Sequence, residues 1–127
     1  MSLAKVRVAI VEDNGMARTN IRNHLLDMGF SQISCFSNGR ELKANMKNKQ
    51  LDLLLIDFHL GQNKNGVEVV QDLQKQKKIM HTTCVIFITC DRLPLIIGQI
   101  ANVHPEALII KPYTISNLVN NITNCLN

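Results

Sequence analysis

The chain has 127 residues, of which 46% are hydrophobic and 19% are charged, and its formal net charge is +4. This length and composition are typical of one globular domain, predicted over residues 1–127, and they exclude a disordered or repetitive chain. We find no apolar run long enough to span a bilayer, no signal-peptide core and no recognisable nucleic-acid-binding motif, so we expect a cytoplasmic protein with no membrane and no direct nucleic-acid partner.

The chain begins with a predicted strand and helix. The strand covers residues 5–11, where an alternating pattern becomes wholly apolar, and it ends on Glu12 and Asp13. The helix is predicted over residues 16–28, because apolar residues recur there on one helical face and Gly29 supplies a C-terminal stop. This segment therefore predicts a βα unit with two acids at the end of its strand.

A short strand over residues 31–36 and a weakly amphipathic helix over residues 40–48 follow. The buried side of this helix consists of little more than Leu42 and Met46. Basic residues gather towards the ends of this helix and the next one, at Arg40, Lys43, Lys47, Lys49, Lys75, Lys77 and Lys78. Because cations there complement the helix dipole, they account for the net charge without a nucleic-acid partner.

The third predicted strand organises the chain. Residues 51–56 contain five apolar residues out of six, as in a central strand that is buried on both faces, and the strand ends on Asp57. A polar loop over residues 61–66 follows, and a third helix begins at Val67 and ends in a Lys-rich segment. Taken alone, Asp57 could equally begin a turn.

Two further βα units complete the prediction. Their strands cover residues 83–88 and 107–110, which lead into Thr89 and Lys111. Their helices cover residues 95–101 and 115–126, with Asp91, Pro94 and Thr114 as residues suited to the N-terminal ends.

The cysteines indicate neither a zinc site nor a redox motif. No two of them form a CxxC pair, and none stands at zinc-ligand spacing from a histidine. We therefore expect buried, reduced thiols at Cys35, Cys84, Cys90 and Cys125.

The alternation of five strands with five helices predicts a doubly wound α/β fold with a mostly parallel sheet and helices on both faces. Parallel strands deliver their C-terminal residues to one edge of the sheet, where such folds bind ligands. The residues delivered to this edge are Glu12, Asp13, Asp57, Thr89 and Lys111.

This set of residues predicts phosphoryl chemistry. Three clustered carboxylates repel one another and therefore require a cation, and oxygen ligands with room for water favour Mg²⁺. Asp57 could then attack phosphorus and form an aspartyl phosphate. Lys111 would pair with Asp57 or with a phosphoryl oxygen, and Thr89 would donate a hydrogen bond to the same group.

With these residues, the chain resembles the receiver domain of bacterial two-component response regulators. The resemblance extends from Val6 to Leu126 and is carried by four motifs in order and at the family's spacing. They are Val-Glu12-Asp13-Asn, Leu-Ile-Asp57-Phe-His-Leu-Gly, Ile-Thr89 and Lys111-Pro112-Tyr113.

The resemblance implies a (βα)5 fold with the flavodoxin-like strand order 2-1-3-4-5. It implies that a sensor histidine kinase or a histidine phosphotransfer protein phosphorylates Asp57, and that the chain is not an enzyme beyond catalysing its own phosphorylation and dephosphorylation. Thr89 and Lys111 would act as switch residues. Mg²⁺ would be held by Asp13, Asp57 and the backbone carbonyl of His59, with Glu12 assisting.

Three further residues bear on how such a site would work. Leu108 stands where the family usually has an aromatic switch residue, and Cys90 stands where the family tends to have Ala or Gly, so that its larger side chain should narrow access to Asp57. His59 is either an exposed loop residue or a group that modulates the lifetime of the phosphoryl group.

Other fold relatives fit less well. Glu12 and Asp13 would repel the phosphate of FMN, no GxGxxG follows a strand, and His59 stands where a phosphatase of the haloacid dehalogenase class needs a second aspartate. The alternative that stays open is a non-phosphorylated pseudo-receiver that acts as a protein-interaction scaffold, since Leu108 departs from the family pattern.

The last third of the sequence predicts an output surface. Between Leu93 and Asn127 only Glu106 and Lys111 are charged, and the fourth helix carries more apolar residues than one buried face can hold. We expect an apolar contact, either in a homodimer or with a downstream effector domain. Residues 61–66 and 104–107 also resemble receivers that precede helical-repeat domains.

Overall fold

The computed structural model describes residues 2–46, 50–61 and 63–127. A short 3-10 helix at Leu3–Lys5 precedes the first strand. The strands are β1 (Arg7–Val11), β2 (Gln32–Phe36), β3 (Leu53–Ile56), β4 (Cys84–Thr89) and β5 (Ala107–Ile110). The helices are α1 (Gly15–Met28), α2 (Gly39–Met46), α3 (Gly66–Lys75), α4 (Pro94–Ala101) and α5 (Ile115–Leu126).

The predicted alternation of strands and helices is confirmed, with small shifts at the ends. The first strand begins at Arg7 and not at residue 5, because Leu3–Lys5 close a 3-10 turn. The predicted end of the second helix, residues 47 and 48, lies outside the described residues. None of the helices in the described ranges has the length and hydrophobicity that a bilayer span requires.

The five strands form one parallel sheet in the order β2-β1-β3-β4-β5, as predicted. All four residues of β3 are buried, as expected for the central strand of a sheet covered on both faces. The register pairs Val11 with Ile56, so the residues that follow these two, at the ends of β1 and β3, also lie side by side.

Alternate residues of each strand face opposite sides of the sheet and divide the core into two layers. One layer packs against α2, α3 and α4 through Leu42, Met46, Val70, Leu73 and Ile100. The other layer packs against α1 and α5 through Ile21, Leu25, Leu118 and Ile122. The sheet is therefore covered by helices on both faces.

Local signals in the sequence explain where the helices begin and end. The Thr114 hydroxyl accepts a hydrogen bond from the N–H of Asn117 and caps α5, as predicted. Gly29 ends α1 in the left-handed conformation, with φ of 111°, which glycine adopts without steric cost. The cap of α3 was not predicted: it is a capping box in which Asn65 and Glu68 each bond the other's backbone N–H.

The expectation of four buried, reduced thiols was wrong. The start of β4 packs against the last turn of α5, and this places Cys84 and Cys125 with Cα atoms 6.0 Å apart and joined by a disulfide. Their separation of 41 residues gave no local signal of this pairing. Of the two free cysteines, Cys35 is half-buried and Cys90 is exposed.

Candidate functional site

The parallel register brings the predicted polar residues to one edge of the sheet. The N–H of Asp57 donates to the carbonyl of Val11 at 3.0 Å, which places Asp57 beside Glu12. On the other side of the sheet centre, the N–H of Lys111 donates to the carbonyl of Thr89 at 2.8 Å. The ends of β1, β3, β4 and β5 therefore meet, as the sequence predicted.

Lys111 holds the two buried carboxylates of this edge together. Its Nζ atom donates to Oδ2 of Asp57 at 2.9 Å and makes a close hydrogen bond to Oε1 of Glu12. The exposed fractions of Glu12 and Asp57 are only 2% and 7%. Because buried carboxylates are costly unless they are paired, the ammonium group offsets much of the cost of placing both acids here.

The environment shifts the pKa values of Glu12 and Lys111. Burial raises the pKa of the Glu12 carboxyl, and the hydrogen bonds from Lys111 and from the N–H of Asn14 only partly oppose this effect. Burial acts to lower the pKa of Lys111, but its hydrogen bonds to Glu12 and Asp57 outweigh burial and leave that pKa raised. Lys111 is therefore an ammonium ion at neutral pH.

The loop after β3 closes back onto Asp57. Oδ1 of Asp57 accepts a hydrogen bond of 3.2 Å from the N–H of His59. The N–H of Gly66 donates to the carbonyl of Phe58 at 2.7 Å, and a Cβ atom at Gly66 would lie 2.2 Å from the carbonyl oxygen of Asp57. Only glycine therefore lets α3 begin so close to the strand end, a role that the sequence analysis missed.

Thr89 and Asp13 differ in their exposure to solvent. Thr89 is fully buried at the end of β4, and its hydroxyl accepts a hydrogen bond of 3.4 Å from the N–H of Asp91. Asp13 is exposed, and its Oδ2 would lie 3.4 Å from a Cβ atom at Gly61. The Asp13 carboxylate thus borders the loop that follows Asp57.

The predicted metal ligands are oxygen donors of the kind that Mg²⁺ accepts, namely two carboxylates and a main-chain carbonyl. Within residues 2–46, 50–61 and 63–127, no three His, Cys, Asp or Glu side chains form a ready metal-ligand cluster. Glu12 is buried and hydrogen-bonded to Lys111, whereas the neighbouring Asp13 is exposed to solvent. Since Mg²⁺ usually keeps several waters and needs only one or two protein carboxylates, the residues present fit this ion.

A contact that the sequence did not predict joins two loops beside the site. Nε2 of His59 lies 2.7 Å from Oδ2 of Asp91, and Oδ1 of Asp91 accepts a hydrogen bond of 2.9 Å from the N–H of Leu93. The Leu93 N–H and, secondly, His59 lower the pKa of Asp91, which is ionised at neutral pH. The side chain of His59 is 56% exposed, which agrees with its predicted role as an exposed loop residue. It is nevertheless bound to Asp91.

The two departures from the family pattern take different positions. Leu108 is half-buried on β5 and packs against the core layer that contains Ile100. Cys90 is exposed immediately after β4, next to the buried Thr89. Neither position carries an aromatic ring that could move between a buried and an exposed state.

Comparisons with known proteins agree with this geometry. The chain is 22% identical over 113 residues to the chemotaxis protein CheY-3 of Vibrio cholerae, a match that covers 89% of this chain and 85% of that protein. The structure of chemotaxis protein CheY4 of Vibrio cholerae aligns with a TM-score of 0.84 at 21% identity, over 95% of this chain and 98% of the other. The signal receiver domain of a modulated diguanylate cyclase from Desulfovibrio desulfuricans G20 aligns with a TM-score of 0.80 at 26% identity, over 94% of this chain and 91% of the other.

The family model described as the response regulator receiver domain matches residues 8–123. This range contains every strand end of the site, from Glu12 to Lys111. The chain therefore belongs to the family of response regulator receiver domains, which act in two-component signalling.

Proposed function

We propose that this receiver domain accepts a phosphoryl group on Asp57. The observation that carries the proposal is the position of the Asp57 carboxylate at the end of the central strand, held between Nζ of Lys111 and the N–H of His59. A carboxylate fixed in this way has its charge balanced and its orientation set before a donor arrives. Positioning and charge neutralisation are the main demands of phosphoryl transfer.

In the proposed reaction a carboxylate oxygen of Asp57 forms a bond to phosphorus while the bond between phosphorus and the donor breaks. The donor is the phosphohistidine of a sensor kinase or of a phosphotransfer protein. Lys111 already binds Asp57 and balances the negative charge that accumulates during transfer. The hydroxyl of Thr89, next to this edge, can reorient to donate a hydrogen bond to the phosphoryl group.

A divalent cation completes the proposed site. Asp13, Asp57 and the backbone carbonyl of His59 would hold Mg²⁺, with Glu12 assisting. When bound, this ion supplies charge neutralisation at the phosphoryl oxygens. The chain's own residues orient the acceptor and bind the product, so the domain catalyses only its own phosphorylation and dephosphorylation.

The protein would act in the cytoplasm. Phosphorylation would change the binding of a partner to an apolar face that includes α4. Leu93 and Leu95 are 63% and 72% exposed, in agreement with the excess of apolar residues predicted for this helix. Either a second copy of the chain or a downstream effector domain would cover this face. One observation favours the second candidate function, a non-phosphorylated scaffold: Leu108 offers no aromatic ring for the usual switch.

Intact mass spectrometry separates the two functions. We expect the protein to gain about 80 Da, the mass of one phosphoryl group, on incubation with acetyl phosphate and Mg²⁺. EDTA should abolish the gain, because the acids then lack the divalent cation. A protein that takes up no adduct, or takes it up equally well in EDTA, would support the scaffold.

A further inference from the structure

Asp91 lies between the loop that follows Asp57 and the start of α4. Its Oδ2 atom is 2.7 Å from Nε2 of His59, and its Oδ1 atom accepts a hydrogen bond of 2.9 Å from the N–H of Leu93. Its own N–H donates to the hydroxyl of Thr89 at 3.4 Å. One residue therefore contacts a neighbour of the phosphoacceptor, the buried threonine of β4 and the residue that precedes α4.

The start of α4 depends on this carboxylate. Leu93 is the N-cap of α4 and has no side-chain atom that can accept a hydrogen bond, and Pro94 follows it. Asp91 accepts the Leu93 N–H and so fixes the chain as it enters the helix. The Asp91 side chain is 12% exposed, although it belongs to a loop. It is therefore held by its contacts and is not free in solvent.

A phosphoryl group on Asp57 would act on these contacts of Asp91. The N–H of His59 already donates to Oδ1 of Asp57, so the added charge would be close to His59. An aspartyl phosphate carries roughly two negative charges where the carboxylate carried one, and its strong acceptor oxygens repel a neighbouring carboxylate and attract donors. His59 and Thr89, which both contact Asp91, are donors that the new group can attract.

We propose that Asp91 couples the phosphoacceptor site to α4: before phosphorylation it ties the start of α4 to the loop after Asp57 through His59, and phosphorylation of Asp57 breaks this tie. The inference rests on the proposed function. It needs no aromatic ring at Leu108, and it ends at the helix that carries the exposed Leu95. Asp91 is a positioning residue in this scheme, because it acts through His59 and Leu93.

Hydrogen–deuterium exchange of residues 92–98 tests the coupling. The whole chain is measured with and without acetyl phosphate and Mg²⁺, and intact mass reports the phosphorylated fraction of the same samples. In the unaltered protein, phosphorylation should speed exchange of this segment about ten- to a hundredfold, the effect of losing one hydrogen bond to a charged group. Phosphorylation should do so without changing exchange in α1.

Four variants separate coupling from a merely structural role. His59→Ala and Asp91→Ala should speed exchange of residues 92–98 before phosphorylation and respond little to it afterwards. The double variant should behave like Asp91→Ala alone, because His59 acts through Asp91. Asp91→Asn keeps an acceptor for the Leu93 N–H and an amide group that can still hydrogen-bond the imidazole of His59, but it carries no charge. Before phosphorylation, this variant should therefore exchange as slowly as the unaltered protein. Phosphorylation should then speed its exchange little. If Asp91 had only a structural role, the two effects would not separate in this way.

His81→Ala and Asp27→Ala are the matched controls, since both residues are exposed, His81 in the loop before β4 and Asp27 in the last turn of α1. Both should behave like the unaltered protein. An unaltered protein that gains the adduct with no change in residues 92–98 overturns the coupling and leaves the phosphoacceptor standing. An Asp91→Asn variant with a full response overturns the coupling in the same way. A protein that gains no adduct overturns the proposed function, and the coupling fails with it.

Discussion

Nζ of Lys111 lies 2.9 Å from Oδ2 of Asp57, although the two residues are 54 positions apart and the strands that they follow are not neighbours in the sheet. The Lys111 side chain extends past the end of β4, which separates β3 from β5. It also reaches Glu12 at the end of β1. One ammonium group therefore connects three strand ends and pairs with two buried acids.

Lys111→Met should destabilise the fold by about 3–5 kcal/mol, because it leaves Glu12 and Asp57 buried without their cation. Urea unfolding monitored by circular dichroism measures this loss. Lys75→Met, in which an exposed lysine at the end of α3 is replaced, is the control and should change stability little. Added Mg²⁺ should stabilise Lys111→Met more than the unaltered protein, since a bound cation restores part of the missing charge. A variant as stable as the control would contradict the role given to Lys111.

Two glycine substitutions should have opposite effects. Gly66→Ala should destabilise the protein by about 3 kcal/mol, because the new Cβ atom would meet backbone atoms of Asp57 and Phe58 that cannot easily move. Gly98→Ala meets no atom within 4 Å and lies inside α4, so it should stabilise the protein by up to about 1 kcal/mol. Thermal unfolding of both variants measures whether the stability falls for Gly66→Ala and rises for Gly98→Ala. If Gly66→Ala left the stability unchanged, α3 would not begin as close to β3 as described.

Cys90→Ala tests whether the residue after Thr89 limits access to Asp57. Because Cys90 is exposed beside the site, removing its sulfur should let a small phosphodonor label the protein faster, by about two- to tenfold. Magnesium affinity should stay nearly unchanged, since only access alters. Cys35→Ala, at a half-buried position on the edge strand β2, is the control. Equal labelling rates for Cys90→Ala and the unaltered protein would refute the crowding of the site.

Self-association tests the apolar face. If two copies pair through Leu93 and Leu95, their association should change little between ~0.05 and ~0.5 M salt, a range that screens exposed ion pairs. Leu95→Glu should prevent pairing, whereas Met16→Glu should not, because Met16 is 79% exposed but lies on α1. Sedimentation velocity measures both. Dimers that dissociate as salt rises would contradict an apolar contact. A monomer at every salt concentration and in both phosphorylation states would exclude the homodimer and favour a downstream domain as the partner.

The fold could be predicted because each element carries its own local signal. Residues 51–56, which contain β3, are apolar except for Asp52, and Asp57 at their end marks the edge of the sheet at which the site forms. The order of the strands follows from the family resemblance, and the sheet has this order. Glu12, Thr89 and Lys111 then had to meet Asp57, because parallel strands end at one edge.

Contacts between loops could not be predicted in this way. His59 and Asp91 are 32 residues apart and lie outside the strands and helices, so no periodicity relates them. Cys84 and Cys125 meet only because the start of β4 packs against the last turn of α5. Glu12 was expected to assist a metal, and its hydrogen bond to Lys111 depends on how far the lysine side chain extends across the sheet edge.

The most direct test of the account is the location of the phosphoryl group. Asp57→Asn and the control Asp27→Asn, at an exposed position on α1, should be incubated with acetyl phosphate and Mg²⁺ beside the unaltered protein. Intact mass should show a gain of about 80 Da for the unaltered protein and the control, and none for Asp57→Asn, because the amide cannot act as the carboxylate nucleophile. An equal gain in the Asp57→Asn protein would contradict the assignment of Asp57 as the phosphoacceptor.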